Sequence, residues 1–190
     1  HPIFIPLLAL RLTLGALHSI ASISQYLNDI YGVVIFCTII LPLLSIFFLI
    51  KTGRVSSLEM SDHKERSLPL FITALWMSLG FFMLNNILLY APLLKAEIIG
   101  AILIILFAAI ISKFWKISLH LLGIGGVVGV FIALQLIEGG VMYLLLIFIL
   151  LSGILGVARI DQKAHNHGQV YVGFLLGMSV EGITLLILHQ

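Results

Sequence analysis

"GGVMYLLLIFILLSGILGV", Gly139 to Val157, holds no charged residue and shows no polar alternation. Lipid leaves the backbone two ways to satisfy its own polar groups, a helix or a closed barrel. A barrel strand alternates with period two, and this run does not, so it reads as a helix. Its length is close to the roughly 20 residues needed to cross a hydrocarbon core about 30 Å thick. The next stretch is its opposite. "RIDQKAHNHGQ", Arg159 to Gln169, gathers an arginine, an aspartate, a lysine and two histidines before a second apolar run begins at 169.

That pattern of apolar run, polar island and apolar run extends over the whole chain. Seven apolar segments can be marked, at about 2–25, 31–51, 68–91, 94–112, 119–137, 139–157 and 169–188. The first carries Arg11 and His18 and could be tilted or re-entrant. Turns are expected at Asn28-Asp29, Ala91-Pro92 and Gly139-Gly140. The composition agrees: 61% of the 190 residues are hydrophobic and 9% charged, against about 45–50% and about 25% in soluble domains. The expected fold is all-α, a polytopic transmembrane bundle of six to seven spans forming a single integral membrane domain over 1–190. A net charge of +2 gives no hint of a nucleic-acid partner. The lone cysteine, Cys37, cannot form an internal disulfide. The opening lacks the order of basic, apolar and small residues that marks a secretory leader, and none is expected.

Counting helices sorts the polar islands by side. The loop at 52–67, the segment at 113–118 and the segment at 158–168 all return to one membrane face. That face carries Lys51, Arg54, Lys64, Arg66, Lys113, Lys116, Arg159 and Lys163. The other face has Lys95, with Asp29, Glu97 and Glu138. The excess of positive charge makes the first face cytoplasmic by the positive-inside rule.

Each island has a bland reading. "SLEMSDHKERSLP" (57–69) could be a solvated loop whose basic residues meet lipid headgroups before a helix begins near Pro69. "KFWKISLH" (113–120) could be an interfacial anchor, with His120 structural and the glycines after it serving helix packing. His165 and His167 could be a solvent-exposed pair. Return to one face changes the balance. Arginine and lysine suit phosphate oxygens. A neutral histidine can attack phosphorus while a protonated one serves the leaving group.

In this order the islands resemble the membrane branch of the type 2 phosphatidic acid phosphatase family, whose signatures are KxxxxxxRP, PSGH and SRxxxxxHxxxD. "ARIDQKAHNHGQ" matches the third at Arg159 and His165, "ISLH" the second at Ser118 and His120, and "HKERSLP" the first at Arg66, with Pro69 two residues late. The likeness covers roughly 57–188, the phosphatase-like core. It implies a lipid phosphatase of the bacterial inner membrane that cleaves a phosphomonoester or pyrophosphate without a metal or other cofactor. By this resemblance Arg66 and Arg159 bind phosphate, Ser118 donates a hydrogen bond, His165 is the nucleophile and His120 the general acid. Lys64 lies near Arg66 and is a further candidate for the phosphate. The implied partner is a membrane lipid phosphate, and the default assembly is a monomer. The bacterial members known best work at the outer face, which conflicts with the charge count.

Departures from the pattern open other readings. Glu59 stands where the family has lysine, Ile117 and Leu119 where it has proline and glycine, and Ala158 where it has serine. The aspartate that supports the nucleophile is Gln169, which can orient the ring but supplies no charge. In a serine protease the comparable Asp-to-Asn change costs about 10⁴ in rate. Asp161 is a possible substitute. A catalytically impaired protein that binds lipid headgroups or anions is therefore the alternative. A third reading is a divalent-metal hydrolase using His63, His120, His165 and His167 with Glu59, Asp62 and Asp161.

Overall fold

The structure, a computed structural model, describes residues 2–16, 20–58, 60 and 62–189. Six helices are long and apolar enough to cross a membrane, as in an integral membrane protein: Ile23–Lys51, His63–Leu88, Pro92–Ile111, Leu119–Ile137, Met142–Asp161 and His167–Leu188. No strand occurs among the described residues. We name the helices α1 (Ile5–Ala16), α2 (Leu27–Ile35), α3 (Leu41–Lys51), α4 (His63–Leu88), α5 (Pro92–Ile111), α6 (Leu119–Ile137), α7 (Met142–Asp161) and α8 (His167–Leu188). A π-helical turn, Phe36–Ile40, joins α2 and α3 into one span.

Several boundaries differ from expectation, each for a local reason. The first apolar segment is a short helix, Pro2–Ala16, below spanning length. His18 lies outside the described residues. Asn28-Asp29 is no turn: both residues belong to the first turn of α2, where a carboxylate complements the positive end of the helix dipole. The island at 57–69 is not all loop. Asp62 caps α4 by accepting a hydrogen bond from the Lys64 amide at 2.9 Å, so the helix starts at His63 and runs through Pro69. Proline is tolerated there at the cost of one backbone hydrogen bond. The island at 159–169 shrinks likewise, because α7 extends through Arg159 to Asp161.

Two helices bind the bundle together. α6 and α8 approach backbone to backbone along Gly125, Gly129, Gly173 and Gly177. A methyl group on Gly173 would sit 2.8 Å from the Ser118 carbonyl oxygen. One on Gly125, Gly129 or Gly177 would overlap the carbonyl of Phe174, Met178 or Leu122 respectively. Without a hydrophobic drive between helices in lipid, such close packing is what holds them. α5 lies against both, and Ile104, Ala108 and Leu122 are buried between them. The lipid-facing surface is correspondingly apolar, with Phe48, Phe82, Leu150 and Ile187 exposed.

Gly177→Ala should lower stability by about 1–3 kcal/mol or more, the range for overpacking. Gly153, also helical, has open space at its Cβ position, so Gly153→Ala should be neutral or stabilise by up to about 1 kcal/mol. Thermal unfolding in detergent separates the two. Equal behaviour would show that the seam is not tightly packed.

Candidate functional site

The glycine seam brings two distant segments into contact. The start of α6 is tied to the start of α8 by a hydrogen bond from the Ser118 amide to the Gln169 carbonyl, at 3.3 Å. A few residues away, the His63 Nδ1–H donates to the Ser112 carbonyl at 2.7 Å. This fastens the start of α4 to the end of α5. The three polar islands therefore meet at one end of the bundle.

They meet on the wall of a cavity of about 940 Å³, within the size range of ligand pockets. Arg66, Lys116, His120, Arg159 and His165 line one end. Apolar residues such as Leu10, Val34, Leu70 and Val127 line much of the rest. No carboxylate among the described residues lines the basic end; the acidic residues on the wall are Glu97 and Glu181, within the spanning helices α5 and α8.

Local structure aims these groups. α7 ends in a reverse turn in which Lys163 N bonds Ile160 O at 2.9 Å and Ala164 N bonds Arg159 O at 3.1 Å, the paired bonds of a Schellman cap. The turn needs a left-handed residue, and Lys163 adopts φ 53° where glycine is usual. It turns the chain so that His165 is buried at 8% exposure while His167 faces out and stacks on Tyr171. The two histidines are thus not an exposed pair. α8 then begins with a capping box between Asn166 and Gln169.

That capping box also sets the tautomer of His165. The Asn166 amide donates to Gln169 Oε1 at 3.3 Å, which identifies that atom as the oxygen. His165 Nδ1 lies 2.9 Å from the same oxygen and must be the protonated nitrogen. A neutral ring then carries its lone pair on Nε2. Burial pushes the His165 pKa down, and the nearby Lys116, Arg66 and Arg159 charges act in the same sense. The Gln169 hydrogen bond opposes them. The ring therefore remains neutral below the usual histidine range near 6.5.

The arginines are held by their own neighbourhoods. Arg66 Nε donates to the Met60 carbonyl at 2.8 Å, and Met60 is left-handed at φ 44°. Arg159 Nη1 donates to Gln162 Oε1 at 3.0 Å, while its Nε is buried without an acceptor among the described residues. Arg66, Arg159 and His165 all stand close enough to act electrostatically on His120.

Other expected residues fall outside this group. Lys64 and Asp161 are exposed and do not line the cavity. Asp161 therefore does not replace the missing carboxylate. Ser118 is fully buried behind the wall, and its hydroxyl has no partner among the described residues. Glu59 lies outside the described residues. No group of three or more metal-ligating side chains occurs among those described, and His63 is engaged by a backbone carbonyl. Lys116 was the residue sequence reasoning passed over as a lipid anchor. Its signal was position, two residues before Ser118 on the segment that carries His120.

Removing the Gln169 hydrogen bond takes away the one interaction that raises the His165 pKa. Gln169→Ala should therefore shift the His165 titration to still lower pH, read by NMR of ring-labelled histidine. A shift upward would mean that the bond does not favour the charged ring. The lost capping interaction should also cost about 1 kcal/mol of stability.

Compared with known protein families, curated proteins and solved structures, the chain matches none of them.

Proposed function

We propose that this protein is an integral membrane phosphohydrolase that cleaves a lipid phosphomonoester or pyrophosphate through a phosphohistidine intermediate. The observation that carries the reading is His165, its Nδ1 held by Gln169, beside His120 and three cationic side chains at one end of an apolar cavity. Lys116, Arg66 and Arg159 supply the charge that phosphoryl transfer requires, since that reaction depends mostly on positioning and electrostatics. The apolar remainder of the cavity suits a lipid chain.

The reaction balances in two steps. His165 Nε2 attacks phosphorus, and the bond to the leaving oxygen breaks. Protonated His120 donates its proton to that oxygen, giving the lipid alcohol or lipid monophosphate. Neutral His120 then takes a proton from water, whose oxygen attacks phosphorus. The P–N bond breaks, inorganic phosphate leaves, and both rings return to their starting states. None of these steps calls for a metal.

Gln169 favours one second reading. Without a carboxylate behind it, the positive phosphohistidine ring loses charge stabilisation, and the site then binds phosphate heads with little turnover. The cytoplasmic orientation of this face belongs to the proposal too, and rests on the excess of lysine and arginine there.

Purified protein given a panel of lipid phosphates should release phosphate in the presence of chelator, and His165→Ala should abolish release. Lys116→Ala should reduce it by about 10-fold or more, the loss of one charge-assisted contact worth about 1.5–3 kcal/mol. Gln169→Asp should raise it by about 10-fold, because a carboxylate adds a charge-assisted hydrogen bond worth about 1.5–3 kcal/mol to a ring whose tautomer Gln169 already sets. Lipid phosphate binding without release in any variant would favour the second reading. Release that stops with chelator would sink the metal-free mechanism.

A further inference from the structure

The far end of the same cavity holds a feature the phosphatase reading does not use. Glu97 on α5 and Glu181 on α8 are 6% and 3% exposed. Glu181 lies 14 residues beyond His167, roughly 21 Å along the helix from the basic cluster. Both carboxyl groups are inside membrane-spanning helices, and both residues line the cavity.

Their geometry brings them together. Glu97 and Gly100 share a face of α5, being three residues apart. Glu181 packs on that glycine: a methyl group there would meet Glu181 Oε2 at 2.7 Å and Oε1 at 2.8 Å. Thr13 of α1, 0% exposed, stands beside Glu97. Yet Thr13 Oγ1, Glu97 Oε2 and Glu181 Oε1 are each buried without a hydrogen bond of sound geometry among the described residues.

No cation among the described residues offsets this pair. The ionisable groups of α4 (His63, Lys64, Glu65, Arg66), His120 of α6, Arg159 and Asp161 of α7 and His167 of α8 lie at the opposite end of the bundle. At the near end, Asp29 and Glu138 are exposed at helix ends. Arg11 and Lys95 each precede Thr13 and Glu97 by two residues, about 200° around the helix. Arg11 is exposed and runs along α1 toward Gly15.

Keeping two charged carboxylates in such a medium is costly, and a proton shared between them removes one of the charges. We propose that Glu97 and Glu181 form an intramembrane proton-binding site, in which the two carboxyl groups hold one proton between them with Thr13 at its edge. The protonated oxygen donates to the ionised partner, which gives the two orphaned carboxyl oxygens a hydrogen bond and leaves one negative charge. That charge opposes entry of an anionic head into this end of the cavity and favours its seating at the basic end. The proposal does not depend on the site being catalytic.

Infrared spectroscopy of the whole protein in lipid nanodiscs tests it. At pH 8 the exposed carboxyl groups are ionised, so a carboxylic-acid C=O band reports a protonated buried acid. We expect one acid equivalent per chain, shifted by ¹³C-carboxyl glutamate labelling and absent from the Glu97→Gln/Glu181→Gln double variant. The isotope shift decides the matter in unmodified protein even if the variant fails to fold. Absence of the band would mean two carboxylates neutralised by a bound metal cation. Two equivalents would mean separate neutral acids. Either result overturns the shared proton.

Discussion

The close approach of α6 and α8 is the constraint on which the rest of this protein depends. In lipid, apolar side chains gain nothing by leaving one apolar medium for another, so helices associate through packing and polar contacts. Gly125, Gly129, Gly173 and Gly177 remove side chains where carbonyl groups of the opposite helix must pass. The seam ends at the Ser118–Gln169 backbone hydrogen bond. That bond brings His120, the second residue of α6, to the same cavity wall as His165, just before α8. Two side chains 45 residues apart in the chain become neighbours because the glycines between them leave no other register.

On that frame, the polar residues divide by the work they do for one another. Met60 and Gln162 each accept a hydrogen bond from an arginine. This lowers the freedom an arginine must lose to hold a ligand. Gln169 serves twice, closing the capping box of α8 and holding His165 Nδ1. The left-handed non-glycine residues Met60 and Lys163 lie in the segments that deliver Arg66 and His165. Uncommon backbone of this kind is held where surrounding structure fixes it, often at functional sites. The cluster of Arg66, Lys116 and Arg159 carries its charge near the membrane surface, where headgroups and water reduce the cost. The two buried glutamates lie within the spanning helices, without a counter-charge among the described residues.

Much of this was legible in the residues. The runs at 119–137 and 169–188 were nearly exact helices, because a spanning segment must be apolar over its whole length. The return of three islands to one face followed from counting those helices. Helix ends were less legible. Asp62 and the Schellman turn at Lys163 extend α4 and α7 into segments that composition alone reads as loops, because capping is a local hydrogen-bond geometry to which hydropathy is blind. Asn28-Asp29 misled for a related reason: both residues favour turns and helix starts alike.

The sequence by itself determined that this is an all-helical membrane chain and that its polar islands share one side. Those properties depend on the order of residue types along the chain, which the bilayer reads directly. Only the tertiary structure decided that Lys116 joins Arg66 and Arg159 while Lys64 and Asp161 do not, that Ser118 lies behind the cavity wall, and that Glu97 and Glu181 line the same cavity. Those outcomes depend on how each helix is rotated about its axis, and that rotation is set by side-chain contacts with neighbouring helices. In helices apolar on every face, residue pattern carries little record of it.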